Sequence, residues 1–300
     1  MRRAATFALL ALALLAGCGG EGASGGGEGP AESNRYVDRS KPPFVNALDV
    51  DPSDDRLLMS TNKGFFRIDP EKGTAERIEG TVSAKGKSSP VGTFLAFVPT
   101  GPDTLIGSGH PDRAGSGLPQ FLGVLRSDDG GETWEVTARL GLADLHVIRP
   151  LHGRIYAFDA VVGALLVSED GGKTYDERFT PKSLMLDFVV DPEDPDYVLA
   201  LDESTLFRTD DGGETWRPLG PSDSARLAWP APEALYRANS DGTVLASDDR
   251  GRSFTEVGKL DGEPWRLKAL DDRRIYAALA DATIQFTEDG GRTWRTVFEP

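Results

Sequence analysis

Short runs of alternating apolar and polar residues recur along the chain at a nearly constant interval. Four of them contain a tyrosine: RIYAFDA (154–160), DYVLALD (196–202), ALYRANS (234–240) and RIYAALA (274–280). Alternation with a period of two, together with β-branched and aromatic residues, predicts short β-strands. Helical periodicity of useful length is absent, so the pattern predicts an all-β chain.

An eight-residue motif follows each of these runs and also occurs once before them. Its copies are SDDGGETW (127–134), SEDGGKTY (168–175), TDDGGETW (209–216), SDDRGRSF (247–254) and TEDGGRTW (287–294). The third residue of each copy is an aspartate: Asp129, Asp170, Asp211, Asp249 and Asp289, at intervals of 41, 41, 38 and 40 residues. A period near 40 residues indicates one supersecondary unit per repeat.

Each unit has room for four short strands, A to D, with the tyrosine run as strand B and the motif between strands C and D. Four-stranded units of this size stack radially as propeller blades, because one such sheet cannot bury both faces alone. A less regular copy lies at 51–78, with 69–75 at the position of the motif. Counting it, we predict a six-bladed β-propeller over residues 41–300. An insertion at 107–120 is predicted between strands B and C of the second blade.

The repeated motif resembles the Asp-box, or BNR repeat, with the pattern S/T-x-D-x-G-x-T/S-W/F. Its aspartate can accept hydrogen bonds from the N–H groups of its own turn, its glycines permit positive φ, and its aromatic residue packs the hairpin onto a neighbour. Asp-boxes occur in sialidases, endoglucanase-type propellers, sortilin-like receptors and photosystem II assembly-factor-type propellers. The resemblance implies that the five box aspartates are structural and lie away from the ligand face.

The chain looks closest to a group of bacterial lipoproteins labelled glycosylhydrolases because of these repeats. GSGHPD (107–112) and ADLHV (143–147) are matching pieces, as are the boxes that end in tryptophan. In that group the first inner strand often begins with histidines, whereas this chain has Asn46 there. Because asparagine is a poor substitute ligand, this difference weakens a metal site.

The first 40 residues predict export and anchoring. Arg2 and Arg3 precede an apolar run at 4–16, which is typical of a signal peptide and too short to span a bilayer. LAGC (15–18) resembles the bacterial lipobox, which implies a signal peptide at 1–17 and lipidation of Cys18. The glycine-rich segment that follows, to residue 40, is a flexible tether. We expect a protein anchored on the extracytoplasmic side of a bacterial membrane.

Cysteine content and charge exclude several classes of function. Cys18 is the only cysteine, so the folded domain has no disulfide, thiolate metal site or cysteine nucleophile. A net charge of −15 argues against binding nucleic acid or anionic lipid by charge. The membrane contact is therefore the lipid anchor, and the partner is a glycan or a protein. A closed propeller exposes few strand edges, which favours a monomer.

Candidate site residues lie on the face opposite the boxes, where strands A begin and B–C turns lie. His110 ends strand B of the second blade, and His146 is near the start of strand A in the third. The carboxylates expected beside them are those of Asp112, Asp144 and Asp159. Histidines with carboxylates can bind a divalent metal, through His110 and His146, or act as acid and base. Alternatively, His110 orders its long loop and His146 bonds a neighbouring strand. His152 belongs to the opposite end.

Sialidase chemistry is disfavoured by the tyrosines. Sialidases use a tyrosine nucleophile, and five of the six tyrosines here belong to the repeat, while Tyr36 precedes the first blade. A carboxylate-pair hydrolase stays open, because further acids are expected on the candidate face: Asp187, Asp202, Glu203 and Asp281. The sequence favours a ligand-binding or assembly module, and it establishes no cofactor. The alternatives are a glycoside hydrolase acting on extracellular glycans and divalent metal binding at His110 and His146.

Overall fold

The computed structural model describes residues 43–112, 116–181 and 185–300. These residues form β-strands joined by turns, and they contain no helix, so the all-β prediction is confirmed. Accordingly, no helix in this part of the chain could cross a membrane. The predicted signal peptide, lipidated Cys18 and tether at 1–40 lie outside the described residues.

Five sheets each contain four consecutive antiparallel strands, hydrogen-bonded in chain order. The first contains β1 (Val45–Val50), β2 (Leu57–Thr61), β3 (Gly64–Asp69) and β4 (Thr74–Ile78). The second of these sheets contains β10 (Leu145–Leu151), β11 (Arg154–Asp159), β12 (Ala164–Ser168) and β13 (Asp176–Arg178). The third contains β14 (Asp187–Val190), β15 (Val198–Leu201), β16 (Thr205–Thr209) and β17 (Arg217–Pro221). The fourth contains β18 (Arg226–Ala231), β19 (Ala234–Ala238), β20 (Thr243–Ser247) and β21 (Thr255–Lys259). The fifth contains β22 (Pro264–Ala269), β23 (Ile275–Leu279), β24 (Ile284–Thr287) and β25 (Arg295–Phe298).

The segment between β4 and β10 forms a five-stranded sheet that closes on itself. Its strands are β5 (Thr81–Ala84), β6 (Lys87–Gly101), β7 (Thr104–Pro111), β8 (Val124–Ser127) and β9 (Thr133–Ala138). Strands β6 to β9 form an antiparallel meander like the other sheets. Strand β5 pairs antiparallel with the start of β6 and parallel with β9. This unit therefore differs from the regular four-stranded blade expected in second place.

The first strands of the sheets, together with β6, form a ring. Strand β6 contacts β1 and β10, β14 contacts β10 and β18, and β22 contacts β18 and β1. An apolar cluster fills each space between neighbouring sheets around this ring. The arrangement is a β-propeller with five regular blades. Because one blade buries only part of its apolar surface, its stability depends on both neighbours.

Among the described residues, the end of the propeller joins its beginning without a shared strand, through side-chain packing together with the Arg266–Asn46 hydrogen bond and the Asp49–Lys268 ion pair. Each sheet is made from one contiguous segment, so no strand is exchanged between the first and last sheets. Instead, Leu57 and Ile68 of the first sheet pack in one cluster with Ile284 and Phe286 of the last. Burial of these side chains replaces a shared strand as the closing interaction.

Four boxes lie between the third and fourth strands of regular blades, as predicted, and the box at 127–134 lies between β8 and β9, the last two strands of the closed sheet. The irregular copy at 69–75 also forms the turn between β3 and β4, where the Asp69 carboxylate accepts the N–H groups of Glu71 and Lys72. The predicted insertion begins later than expected. Strand β7 continues to Pro111, so the long connection to β8 starts at residue 112 rather than at 107.

The tyrosines of the repeat link consecutive blades. The Tyr156 hydroxyl donates to the carbonyl of Pro195 at 2.9 Å, and that of Tyr197 donates to the carbonyl of Arg250 at 2.9 Å. Tyr236 makes the corresponding bond to Asp272. Burial raises the pKa of Tyr156 and Tyr236 above the ordinary value. These tyrosines are structural, which agrees with their exclusion as nucleophiles.

Candidate functional site

The box end of the propeller consists of self-contained turns. In the third regular blade, Asp211 Oδ1 accepts the Thr209 hydroxyl at 2.6 Å and the Thr215 N–H at 2.8 Å, and Oδ2 accepts the Thr215 hydroxyl at 2.6 Å. The buried Thr209 hydroxyl in turn accepts the N–H of Gly213 at 3.0 Å. The turn needs the left-handed φ of Gly212 (69°) and Gly213 (99°).

These hydrogen bonds stabilise the charged form of the box aspartates. The Thr209 hydroxyl, followed by the Thr215 hydroxyl, lowers the pKa of Asp211 to about 2. The Ser253 hydroxyl and N–H lower the pKa of Asp249 to about 2. Asp170 and Asp289 are shifted in the same direction by Thr174 and Thr293. Carboxylates that accept several hydrogen bonds titrate low, and their oxygens are occupied, so the boxes are structural.

At the opposite end, the predicted histidines and carboxylates come together. Asp144 lies just before β10, between the two histidines: its Oδ2 is 3.3 Å from Nε2 of His146, and its Oδ1 is 3.8 Å from Nε2 of His110. The Asp144 N–H donates to Oδ1 of Asp159 at 3.0 Å. His110, Asp144 and Asp159 are buried, whereas 39% of the His146 side chain is exposed. This convergence is what the chain direction of the repeat predicts.

His110 also orders the long connection that follows its strand. Its Nδ1 lies 2.8 Å from the carbonyl oxygen of Gln120, which can only accept, so Nδ1 carries the proton and Nε2 faces Asp144. The ring of Phe121 lies 5.8 Å from the imidazole. Asp112, which follows β7, is buried close to the start of the same connection. The alternative in which His110 orders its loop therefore agrees with the geometry.

The carboxylate of Asp159 faces a cation rather than a second carboxylate. Its Oδ2 lies 3.8 Å from Nη2 of Arg139, and the same nitrogen donates to Glu177 at 2.8 Å. The Oδ1 atom accepts the N–H of Val161 at 3.0 Å, in addition to that of Asp144. Asp159 thus fixes the loops around the histidines.

Four large apolar side chains are exposed at the same end of the propeller. The large hydrophobic side chains that are exposed in the described residues are Leu142, Val161, Val162 and Phe179. All of them lie in connections at the candidate end of the blade formed by β10 to β13, or directly before it. The Thr180 hydroxyl donates to the carbonyl of Gly163, which joins two of these connections. Apolar groups beside a few polar ones are typical of a ligand-binding surface.

A polar cavity lies beside this cluster, among the inner strands of the ring. It has a volume of about 30 Å³. Its charged and polar lining comes from four strands: Asn46 and Asp49 of β1, His146 and Arg149 of β10, Asp187 of β14 and Arg266 of β22. Strand β6 adds the apolar residues Ala96 and Phe97. His146 therefore belongs both to the predicted cluster and to the cavity.

Asp187 connects three blades at the cavity. Its Oδ1 accepts Nη2 of Arg149 at 2.9 Å and the N–H of Phe188 at 2.9 Å, and its Oδ2 accepts the N–H of Leu227 at 3.0 Å. The residues involved belong to β10, β14 and β18. A buried carboxylate with three donors is fully bonded, so Asp187 is a structural anion at the cavity wall.

Arginines of the inner strands reach from one blade to the next. Nε of Arg149 donates to the carbonyl of Phe188 at 3.3 Å, and Nε of Arg226 donates to that of Trp265 at 2.9 Å. Arg266 makes the same kind of bond to Asn46, across the closing interface. The side-chain amide of Asn46 donates to the Thr93 hydroxyl at 3.0 Å, so Asn46 also connects β1 to β6.

The arginines carry a positive charge that is poorly neutralised. Burial, followed by the charge of Arg226, lowers the pKa of Arg266 to about 9, and Arg149 acts in the same direction. Burial also lowers the pKa of Arg226 against the attraction of Asp187 and Glu263. Nearby like charges and desolvation both disfavour the charged form. Burial therefore acts on Arg226 and Arg266, and nearby positive charges act on Arg266, against the attraction of Asp187.

The other predicted residues lie apart from the cavity. Asp202 follows β15, where it accepts the N–H groups of Ser204 and Thr205, and Glu203 follows it. Asp281 accepts the N–H of Thr283 in the turn after β23. His152 lies in the turn between β10 and β11, where its Nε2 is 2.8 Å from the carbonyl of Asp191. As predicted, it does not join the other histidines.

Sequence reasoning did not identify Arg149 and Arg266 of the cavity or the nearby Arg226. A signal was present, since Arg226 and Arg266 are 40 residues apart, which equals the repeat period. Arginine on an inner strand is unusual because buried arginine is rare. As for metals, no group of three or more His, Cys, Asp or Glu side chains within 43–112, 116–181 and 185–300 has an arrangement that could hold an ion.

Comparison with known proteins identifies the repeat and the fold. The model of the BNR/Asp-box repeat matches residues 125–136. No curated protein matches the sequence. Among solved structures, YCF48 from Cyanidioschyzon merolae is similar with a TM-score of 0.52 and 17% identity, over 87% of this chain and 86% of that one.

Two larger proteins contain a similar domain. An ancestral GH74 enzyme has a TM-score of 0.53 and 15% identity over 84% of this chain, which spans 37% of the enzyme. The extracellular domain of a protein designated a one-component system from B. thetaiotaomicron has a TM-score of 0.52 and 13% identity, again over 84% of this chain and 39% of that one. At these identities the similarity concerns the fold alone. The chain thus contains a BNR/Asp-box repeat at residues 125–136 and has a β-propeller fold.

Proposed function

We propose that this protein is an exported, lipid-anchored, six-bladed propeller that acts as a ligand-binding or assembly module on the extracytoplasmic side of a bacterial membrane. The lipobox-like sequence that ends at Cys18 and the glycine-rich segment after it support the anchor. In this proposal, the meander β6 to β9 is the second blade, with its box between β8 and β9, and β5 is an added strand. The protein works as a monomer and binds a glycan or another protein.

The observation that carries a binding role is the polar cavity next to the histidine cluster. Hydrolysis of a glycoside requires two carboxyl groups that face each other across a cleft, at about 5 to 5.5 Å or 6.5 to 9.5 Å. Here Asp144 is placed between two histidines, and Asp159 and Asp187 are engaged by main-chain N–H groups and arginines. Fixed charges of this kind suit recognition of a ligand better than proton transfer.

A thermal-shift screen of the purified protein tests this role. Divalent metals and a panel of small oligosaccharides are added separately, since a ligand of the folded state raises the melting temperature by mass action. His146→Ala is run beside wild type, because His146 belongs to both the cluster and the cavity. The matched control is His152→Ala, at the opposite end of the same blade. We expect a shift that His146→Ala loses and His152→Ala keeps.

The alternatives give different outcomes in the same screen. A metal that stabilises wild type and not His146→Ala would establish divalent metal binding at His110 and His146. An oligosaccharide that shifts the melting temperature and is also cleaved would establish a glycoside hydrolase. If neither group of compounds acts, binding of a protein partner is favoured.

Membrane anchoring is tested in cells. Wild type is expected in the membrane fraction, and Cys18→Ser is expected to leave it, because the thiol that carries the lipid is absent. Equal membrane association of both proteins would contradict the anchor and leave the binding role untouched.

A further inference from the structure

One arginine at the central cavity has no ion-pair partner of its own among the described residues. Two carboxylates line it, and each already has a cationic partner: Asp49 pairs with Lys268 at 2.6 Å, and Asp187 pairs with Arg149 at 2.9 Å. Arg266 also lines the cavity, and Arg226 lies near it, outside the lining. Within the described part of the chain, neither forms an ion pair with a carboxylate closer than 4.0 Å.

The hydrogen bonds of these two arginines go to neutral acceptors. Arg226 donates to the carbonyls of Ser224, Ala225 and Trp265, and Arg266 donates to those of Asn46 and Trp265. Main-chain carbonyls satisfy N–H groups without cancelling the positive charge. A desolvated charge that lacks a counter-charge is costly, by several kcal/mol in proteins. Burial and then the charge of Arg226 lower the pKa of Arg266 against the attraction of Asp187, and a bound anion would oppose this shift.

Size limits what the anion can be. A cavity of about 30 Å³ holds roughly two water-sized groups. The two oxygens of a carboxylate match this space, whereas a tetrahedral phosphate has four. The cavity is accessible from solvent, since 34% of the Arg149 side chain is exposed at its wall. Guanidinium groups also bind carboxylates through paired N–H···O bonds.

We propose that the cavity between β1, β10, β14 and β22 binds a carboxylate group of the ligand, held between the guanidinium groups of Arg149 and Arg266. Arg226 adds its charge from the neighbouring blade, and His146 lies at the same wall. This inference rests on the proposed binding role and specifies the chemistry that the ligand presents. A carboxylate bound here would supply a counter-charge to Arg266, where these inner strands meet at the closing interface.

Anion titrations of the full-length protein test the inference. Formate, acetate, chloride and phosphate are added at pH 7, with ionic strength held constant by the bulky sulfonate buffer HEPES. Binding is followed by calorimetry and by the melting temperature. We expect saturable binding of formate and acetate with an increase in melting temperature, and weaker binding of chloride and phosphate.

Variants connect binding to the arginines. Arg266→Gln is expected to weaken formate binding at least about tenfold, as the loss of one charge-assisted hydrogen bond predicts. Arg273→Gln is the matched control: it removes an exposed arginine at the box end of the same blade, where Nε bonds the carbonyl of Glu288. It is expected to bind formate like wild type.

A third variant keeps the test decisive if Arg266→Gln does not fold. Asp187→Asn removes the carboxylate that competes for Arg149 and repels an incoming anion, so we expect formate to bind more tightly, by about tenfold. A protein that was merely damaged would bind less. Unchanged or weaker binding by Asp187→Asn would overturn the inference.

Further outcomes separate the inference from the proposed function. Chloride binding as tight as formate binding, or absence of saturable binding by either carboxylate, overturns the carboxylate site. If an oligosaccharide still shifts the melting temperature in those cases, the binding role stands. Silence from every sugar and metal, together with saturable formate binding, would instead keep the carboxylate site and favour a protein partner.

Two sources of the carboxylate are distinguished by peptides. Triglycine and its C-terminal amide are compared with acetate. Tighter binding of triglycine than of both the amide and acetate indicates the end of a polypeptide chain as the ligand. Equal binding of triglycine and acetate indicates a small carboxylic acid, and both results support the site.

Discussion

The two ends of the propeller treat the same residue type in opposite ways. Asp211, at the box end, obtains its hydrogen-bond donors from residues at most four positions away. Asp187, at the cavity end, obtains donors from Arg149 and Leu227, which are 38 and 40 residues away. Local bonds shape one turn, whereas distant ones join blades. Loss of a single charge at the cavity end should therefore lower the free energy of unfolding more, whereas a substitution at the box end should affect mainly its own turn.

The largest expected effect is that of Asp187→Ala. Removing the carboxylate leaves Arg149 without its counter-charge and the N–H groups of Phe188 and Leu227 without their acceptor. We expect the free energy of unfolding to fall by about 3 kcal/mol, as for a broken buried ion pair. Urea denaturation measures it. Asp281→Ala, an exposed carboxylate at the same end, is the control and should change little. Equal stability of Asp187→Ala and wild type would remove the basis of the comparison.

A smaller loss is expected for Thr209→Val at the box end. Valine keeps the shape of the buried side chain but leaves the N–H of Gly213 unsatisfied, which costs about 2 kcal/mol. Thr209→Ser keeps the hydroxyl and is the matched control, with most of the stability retained. If Thr209→Val costs more than Asp187→Ala in the same urea series, the order of the two ends is reversed.

A still smaller loss is expected for Tyr156→Phe, which tests the bonds between blades without changing charge. The ring stays in place, and only the hydroxyl bond to the carbonyl of Pro195 is lost. One neutral hydrogen bond contributes about 1 kcal/mol. Tyr197→Phe removes the equivalent bond to Arg250 and should give the same decrease in urea midpoint. Unequal decreases would show that the two blade junctions are not equivalent.

The smallest effect is the contribution of each box to stability in acid. The pKa of Asp211 and of Asp249 is lowered to about 2 in the folded protein, below the ordinary value of 3.8. A lowered pKa adds stability that is present above about pH 4 and is lost as the pH falls toward 2. Asp211→Asn should have a flatter dependence of melting temperature on pH over this range.

High salt provides the control for this acid dependence. Hydrogen bonds from Thr209 and Thr215 cause the low pKa of Asp211, so 1 M salt should leave the slope in place, whereas a slope due to distant charges would be screened. A slope that disappears in salt would assign the acid dependence to long-range repulsion.

The same difference between the two ends explains which features could be predicted from the sequence. Box geometry follows from eight contiguous residues, so the turn, its position between the third and fourth strands, and the structural role of Asp129 could all be predicted. The convergence of His110, Asp144 and His146 followed from chain direction, because every unit runs the same way through the ring. Local chemistry plus a period was sufficient for both.

The remaining features depend on contacts between blades. Nothing near Arg266 in the sequence indicates Asn46, which is 220 residues away and accepts its Nε–H across the closing interface. The pairing of β5 with β9 was likewise missed, since a parallel strand at the edge of a blade has no signature in the period. These contacts are set by where the ring closes, and the repeat defines that only indirectly.

Because the ring of blades closes without a shared strand, new chain termini could be placed elsewhere in the sequence. Every sheet is contiguous in sequence, so no described strand crosses from one sheet to the other. Side chains of β1 and β25 pack in one apolar cluster. A circular permutant with a linker from residue 300 to residue 43 and new termini between two regular blades would keep every sheet intact. The fold of the ring therefore does not depend on which blade comes first in the sequence.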